Sequence, residues 1–90
     1  MSNYFSKVIK AGDRLHEFNF RLLSGSDRKY HVDVPDGRGN RIIFYMYKDE
    51  NSWKTSGNLP AWIQNAELYL SEVIEENETL QENNLRRKSS

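Results

Sequence analysis

The chain has no cysteine. Disulfides and thiolate metal sites are therefore excluded, and its 90 residues must fold by packing alone. No apolar run approaches the roughly 20 residues of a membrane span. The stretch Met1 to Ser6 lacks the charged-then-apolar layout of a secretion signal, so the expectation is a soluble, cytoplasmic protein. Net charge is absent too, with 13 basic residues balancing 13 acidic ones. A nucleic-acid binder usually carries a stronger basic footprint, so any such activity has to come from local placement.

Charge is in fact placed unevenly. Residues 1–48 hold nine Lys/Arg against five Asp/Glu, and residues 49–90 hold four against eight. Aromatic residues make up 12% of the chain, which matters because a small domain needs large apolar side chains to fill its core.

Past Arg14 the pattern has a period of two. Phe18, Phe20 and Leu22 alternate with Glu17, Asn19 and Arg21, the mark of a strand with one buried face. Turn formers follow at Ser24–Arg28, and Tyr30, Val32 and Val34 then keep the same even parity. After Asp36-Gly37-Arg38-Gly39-Asn40, a hairpin signal, parity holds again at Ile42, Phe44 and Met46. Antiparallel folding sets Phe20 opposite Val32 and Val32 opposite Phe44. Slipping any strand by one residue would turn all of its side chains over. A short further strand is expected, with Trp53 opposite Lys48 and Thr55 opposite Met46. Residues 1–12 read either as a helix side (Tyr4, Phe5, Val8, Ile9) or as a strand entering a tight turn at Gly12. One register of that strand sets Lys7 opposite Glu17.

A long amphipathic helix closes the pattern. Asn58 is a candidate cap, Pro60 suits a first turn, and Leu59, Trp62, Ile63, Ala66, Tyr69, Leu70, Val73 and Ile74 recur at helical spacing. Leu68 points off that stripe. The expected fold is α+β: an antiparallel meander of four or five strands with one long C-terminal helix across one face. Residues 1–83 form the domain, and 84–90 are expected to be a disordered tail.

Chemistry-bearing motifs are thin. His16 and His31 fall on opposite sheet faces and cannot share a metal. His31 and Asp33 are same-face neighbours, but no Ser or Cys nucleophile stands beside them. "DGRGN" lacks the Gly-Lys-Ser/Thr of a phosphate loop and joins two strands. A non-catalytic protein with no metal and no cofactor is expected. The outward face carries more information. It gathers Arg21, Lys29, His31, Arg41, Tyr45 and Tyr47, with Ile43, Glu17 and Asp33 among them. Tyrosines ringed by cations suit stacked bases and phosphates, whereas Ile43 beside the tyrosines suits a protein partner or a second copy in a homodimer. The sequence leaves both open.

The stretch "FSKVIKAGDRLHEFNFR" (Phe5 to Arg21) resembles the start of a PUR repeat, the purine-rich-element binding module, and its short bacterial relatives. In those, a strand ends in Lys-x-Gly-or-Ala-Gly before a basic residue, aromatics and an alternating strand. Lys10-Ala11-Gly12, Arg14, Phe18 and Phe20 carry the likeness, which continues in layout through Tyr30–Val34, Ile42–Tyr47 and the closing helix. The resemblance implies residues 1–12 as strand rather than helix, and four strands followed by a helix. It also implies single-stranded DNA or RNA on the exposed sheet side, and pairing of two repeats. Asn51 to Trp62 adds a strand to that scheme, and Asp13 stands where the family more often has a basic residue.

Overall fold

A computed structural model describes residues 4–23 and 29–89, with side chains described as far as residue 80. The turn expected at Ser24–Arg28 lies outside the described residues, as do the side chains of the expected 84–90 tail. Five strands, β1 (Tyr4–Ala11), β2 (Arg14–Leu22), β3 (Lys29–Pro35), β4 (Arg41–Asp49) and β5 (Ser52–Thr55), precede α1 (Ala61–Gln64) and α2 (Glu67–Ser89). The strands form one antiparallel sheet in chain order, an α+β meander closed by the helical segment.

The register from β2 onward matches the parity argument. Phe20 pairs with Val32, Val32 with Phe44, His31 with Tyr45 and Lys29 with Tyr47. Lys48 pairs with Trp53 and Met46 with Thr55. One face therefore gathers Phe18, Phe20, Tyr30, Val32, Val34, Phe44, Met46 and Trp53, all buried, against Ile63, Ala66, Leu70 and Ile74 of the helices. Fully burying one such side chain contributes about 1.5–3 kcal/mol. Ile42, Trp62 and Val73, expected in this layer, pack at its margin, half-buried.

Residues 4–11 are strand, and their register differs from the one that set Lys7 opposite Glu17. Lys7 pairs with Phe18 and Val8 with Glu17. The cause is a two-residue loop, Gly12-Asp13, between the paired Ala11 and Arg14. Gly12 has φ +71°, and a positive φ at the first loop residue is what a tight hairpin of this kind needs and glycine supplies without strain. Odd residues of β1 consequently face the core. Ile9 and Ala11 are buried, and the Phe5 ring stacks on Phe20 at 4.6 Å.

The helix is also less regular than expected. Pro60, rather than Asn58, occupies the N-cap position, with no side-chain cap. The helix breaks after Gln64, where the Ala66 amide donates to Ile63 O in a tighter turn, and α2 then resumes. Leu68 points outward as expected, but Tyr69 does too.

The helix grips the sheet at one edge. The β5 amide of Trp53 donates to Ser71 Oγ at 2.9 Å. Those of Thr55, backbone and hydroxyl, both reach Glu67 Oε2, at 2.9 and 2.7 Å. Lys48 ion-pairs with Glu75 and Tyr30 Oη donates to Glu78 at 3.1 Å. Edge amides that would otherwise recruit another strand are thus occupied on β5, whereas β1 pairs only with β2. Among the described residues no helix is long and apolar enough to cross a membrane.

Candidate nucleic-acid interface

Because paired residues share a face, the register sorts the outer side of the sheet into rows. One row runs Tyr4, Arg21, His31, Tyr45 across four strands. The next toward the β3 start runs Lys29, Tyr47, Lys54. On the other side lies Ser6, Asn19, Asp33, Ile43, and beyond that the Val8–Glu17 pair. All six residues expected on this face are there, but they do not act as one group.

Two of the rows form a cationic, aromatic patch. Tyr45 and Tyr47 are each 41% exposed, enough to present a ring face to solvent. His31 meets the Tyr45 ring edge-on at 5.6 Å, and Lys29 Nζ stands 5.8 Å from the same ring's centroid. Arg21, exposed, pairs directly with His31. Lys54 flanks Tyr47 on the side away from Lys29. These two rows contain no carboxylate. Glu17 belongs to a row at the far end of the face, away from the patch.

The third row is a hydrogen-bonded chain centred on Asp33. Tyr4 Oη and Ser6 Oγ donate to Asn19 Oδ1, at 3.1 and 2.7 Å. Asn19 Nδ2 in turn donates to Asp33 Oδ1 at 2.9 Å, and the Arg41 guanidinium meets the same oxygen. His31 Nδ1 lies 3.9 Å from Asp33 Oδ2. Partial burial pushes the Asp33 carboxyl up, but the Asn19 amide, Arg41 and His31 together outweigh it and hold the group below its ordinary value. Asp33 is therefore a charged carboxylate whose repulsion is cancelled locally by Arg41. Arg41's charge is spent there, so it does not belong with the free cations.

Sequence reasoning missed Tyr4 and Lys54. Both sit on strands whose hairpins join odd to even positions, so their parity is the reverse of what β2 to β4 display. Counting through the two-residue Gly12-Asp13 loop would have found Tyr4, and the expected Lys48–Trp53 pairing already implied Lys54 opposite Tyr47.

Apolar groups share this side. Val8, Leu15 and Ile43 are more than half exposed. His16 lies on the opposite, helix-facing side, opposite Ile9. No group of three or more His, Cys, Asp or Glu side chains that could hold a metal occurs among the described residues. On this face the geometry supplies stacking rings, cations and hydrogen-bond donors. Compared with known proteins, the chain matches no family model, no curated protein and no solved structure.

Proposed function

We propose that the protein is a non-catalytic binder of single-stranded DNA or RNA, which lies across the outer sheet face. The observation that carries this reading is the pair of rows Tyr4-Arg21-His31-Tyr45 and Lys29-Tyr47-Lys54, in which exposed rings alternate with cations and no acid intervenes. Unstacked bases gain about 1–3 kcal/mol each from such rings, and phosphates meet Arg21, Lys29 and Lys54. A single strand suits the patch better than a duplex, whose bases are already stacked on one another. The resemblance of Phe5–Arg21 to a PUR repeat points the same way.

The test is fluorescence anisotropy with a labelled single-stranded oligonucleotide at low and high salt. Binding should weaken with salt and drop about 5- to 150-fold in Tyr45→Ala, the ratio matching one lost stack. Arg21→Ala should lower the salt slope. No binding at low salt would remove the proposal.

Exposure of Val8, Leu15 and Ile43 on the same side favours a second reading, a homodimer that covers this face. It predicts a concentration-dependent dimer in sedimentation, lost in Ile43→Lys, and no oligonucleotide binding by the dimer.

A further inference from the structure

A cleft lies at the far end of the domain, on the helix side of the sheet. There the β1–β2 and β3–β4 turns approach the start of α1 and line an open cleft of about 440 Å³, within the range of small-ligand sites. Its wall is an aromatic pair: His16 and Trp62 stack at 4.2 Å between centroids with 19° between planes, both half-buried. Arg14 enters from β2 and lies against the facing turn, since a methyl group built on Gly37 would stand 3.7 Å from Arg14 Nη1. Arg38 enters from that facing turn.

Arg14 and Arg38 form no ion pair among the described residues, although the Arg38 charge, behind its own backbone amide, helps hold the Asp36 carboxyl below its ordinary value. Asp36, the nearest acid in sequence to Arg38, instead accepts the Arg38 and Asn40 amides on Oδ1, at 2.7 and 3.1 Å. That leaves two guanidinium donors, a stacked ring pair, and two carboxylates (Asp13 and Asp36) around one cleft. A simple anion would be repelled by the acids, and a simple aromatic would leave the guanidiniums unused. A ligand that joins an anionic group, a flat ring and hydroxyl or amino donors satisfies all three.

We propose that this cleft binds a nucleoside monophosphate group, with phosphate at Arg14 and Arg38, base against the His16–Trp62 pair, and ribose or base donors toward Asp13 and Asp36. The group arrives either as a free mononucleotide or as the 5′-phosphorylated end of a strand. The site is built from different residues than the outer face and stands whether or not that face binds nucleic acid.

The probe is adenosine monophosphate, read by tryptophan fluorescence. Trp53 is 1% exposed, so a stacking-dependent change reports Trp62. Saturable binding is expected, weakened at least about tenfold in Arg14→Gln and again in Arg38→Gln, one charged contact each. Adenosine alone and inorganic phosphate alone should bind at least about tenfold more weakly than the monophosphate. Tyr45→Ala should leave the affinity unchanged, which separates this site from the outer face. A 5′-phosphorylated oligoadenylate that outbinds its 5′-hydroxyl form identifies a strand end as the source, and equal binding of the two identifies the free nucleotide. The proposal fails if adenosine monophosphate gives no saturable signal up to about 5 mM, an affinity too weak to count as a site. It fails equally if the Arg14→Gln/Arg38→Gln double variant, folded by circular dichroism, binds as well as the parent.

Discussion

If the outer face binds a single strand, removing one of its acids should reveal a hidden cation. Asp33→Asn deletes the carboxylate that holds Arg41 but keeps a carbonyl oxygen for the Asn19 amide, now at 2.9 Å from Asp33 Oδ1. The freed guanidinium, on a side chain rooted two rows from Tyr45, becomes available to a phosphate. On single strands each neutralised phosphate adds about 0.7 to the slope of log affinity against log salt. If that contact contributes nothing at 1 M salt, it amounts to about a fivefold gain at 0.1 M. Loss of the negative charge adds to this, so fivefold is a lower bound. Arg41→Ala makes the opposite change, leaving Asp33 charged and uncompensated, and should weaken binding while removing no direct phosphate contact. The assay is anisotropy of a labelled single strand across a potassium chloride series, with thermal melts confirming that each variant is folded. Asn should cost about 1 kcal/mol in stability, one charge-assisted bond exchanged for a neutral one. A folded Asp33→Asn protein with unchanged slope and weaker binding would refute both the charge cancellation and the placement of the strand.

Three further outcomes concern the fold. Glu67→Ala removes the acceptor of two Thr55 bonds and should cost about 2 kcal/mol at pH 7 by urea denaturation. The Thr55 amide, opposed by burial and aided by the Thr55 hydroxyl and Lys54, holds the Glu67 carboxyl below its usual 4.5; its contribution is thus full above that value and lost as pH falls through the lower folded one, so the gap between parent and variant should narrow as the solution is acidified below 4.5. A gap that does not narrow on acidification would show that the loss is steric rather than electrostatic. Glu50 has φ +56°, a region costing an L-residue about 1–2 kcal/mol, so Glu50→Gly should raise the melting temperature by a few degrees, and a lowered one would mean that the Glu50 side chain stabilises the turn. Trp53 Nε1 is buried with no acceptor among the described residues, so Trp53→Phe should cost less than about 1.5 kcal/mol despite full burial, relief of the unpaired donor offsetting lost area; a loss above about 3 kcal/mol, the usual range for large core truncations, would show that the indole nitrogen is in fact satisfied.

Much of the architecture was readable because parity is rigid. Phe20, Val32 and Phe44 are joined by loops that preserve even numbering, and every odd residue between them had to face outward. That logic placed His31 beside Tyr45 and Lys29 beside Tyr47 without any coordinates. It failed at β1 because a hairpin's register depends on the count of loop residues, and Lys10-Ala11-Gly12-Asp13 admits two counts. Spacing located the helix, yet the Asn65–Ala66 interruption left no periodic trace, since Ile63, Ala66 and Leu70 keep facing the core across it. Tyr69 illustrates a wider limit: an apolar residue at the margin of a stripe is buried only if side chains close over it, and beside β1 it lines an open cleft instead. Least legible were the polar contacts. Asp33 as the partner of Arg41, and Glu67 and Ser71 as acceptors for β5, join residues distant in the chain through atoms whose positions no periodicity specifies.

The unequal edges of the sheet bear on how the chain acquires its shape during synthesis. The five strands pair in order of emergence, each with the one just made, so the meander can assemble from neighbours. Its last strand, however, gains acceptors for Trp53 and Thr55 only after Glu67 and Ser71 have left the ribosome. Until then the nascent sheet shows bare amides at both ends and an uncovered layer of phenylalanines, so a chain stopped near residue 58 should aggregate rather than persist as a smaller version of the whole.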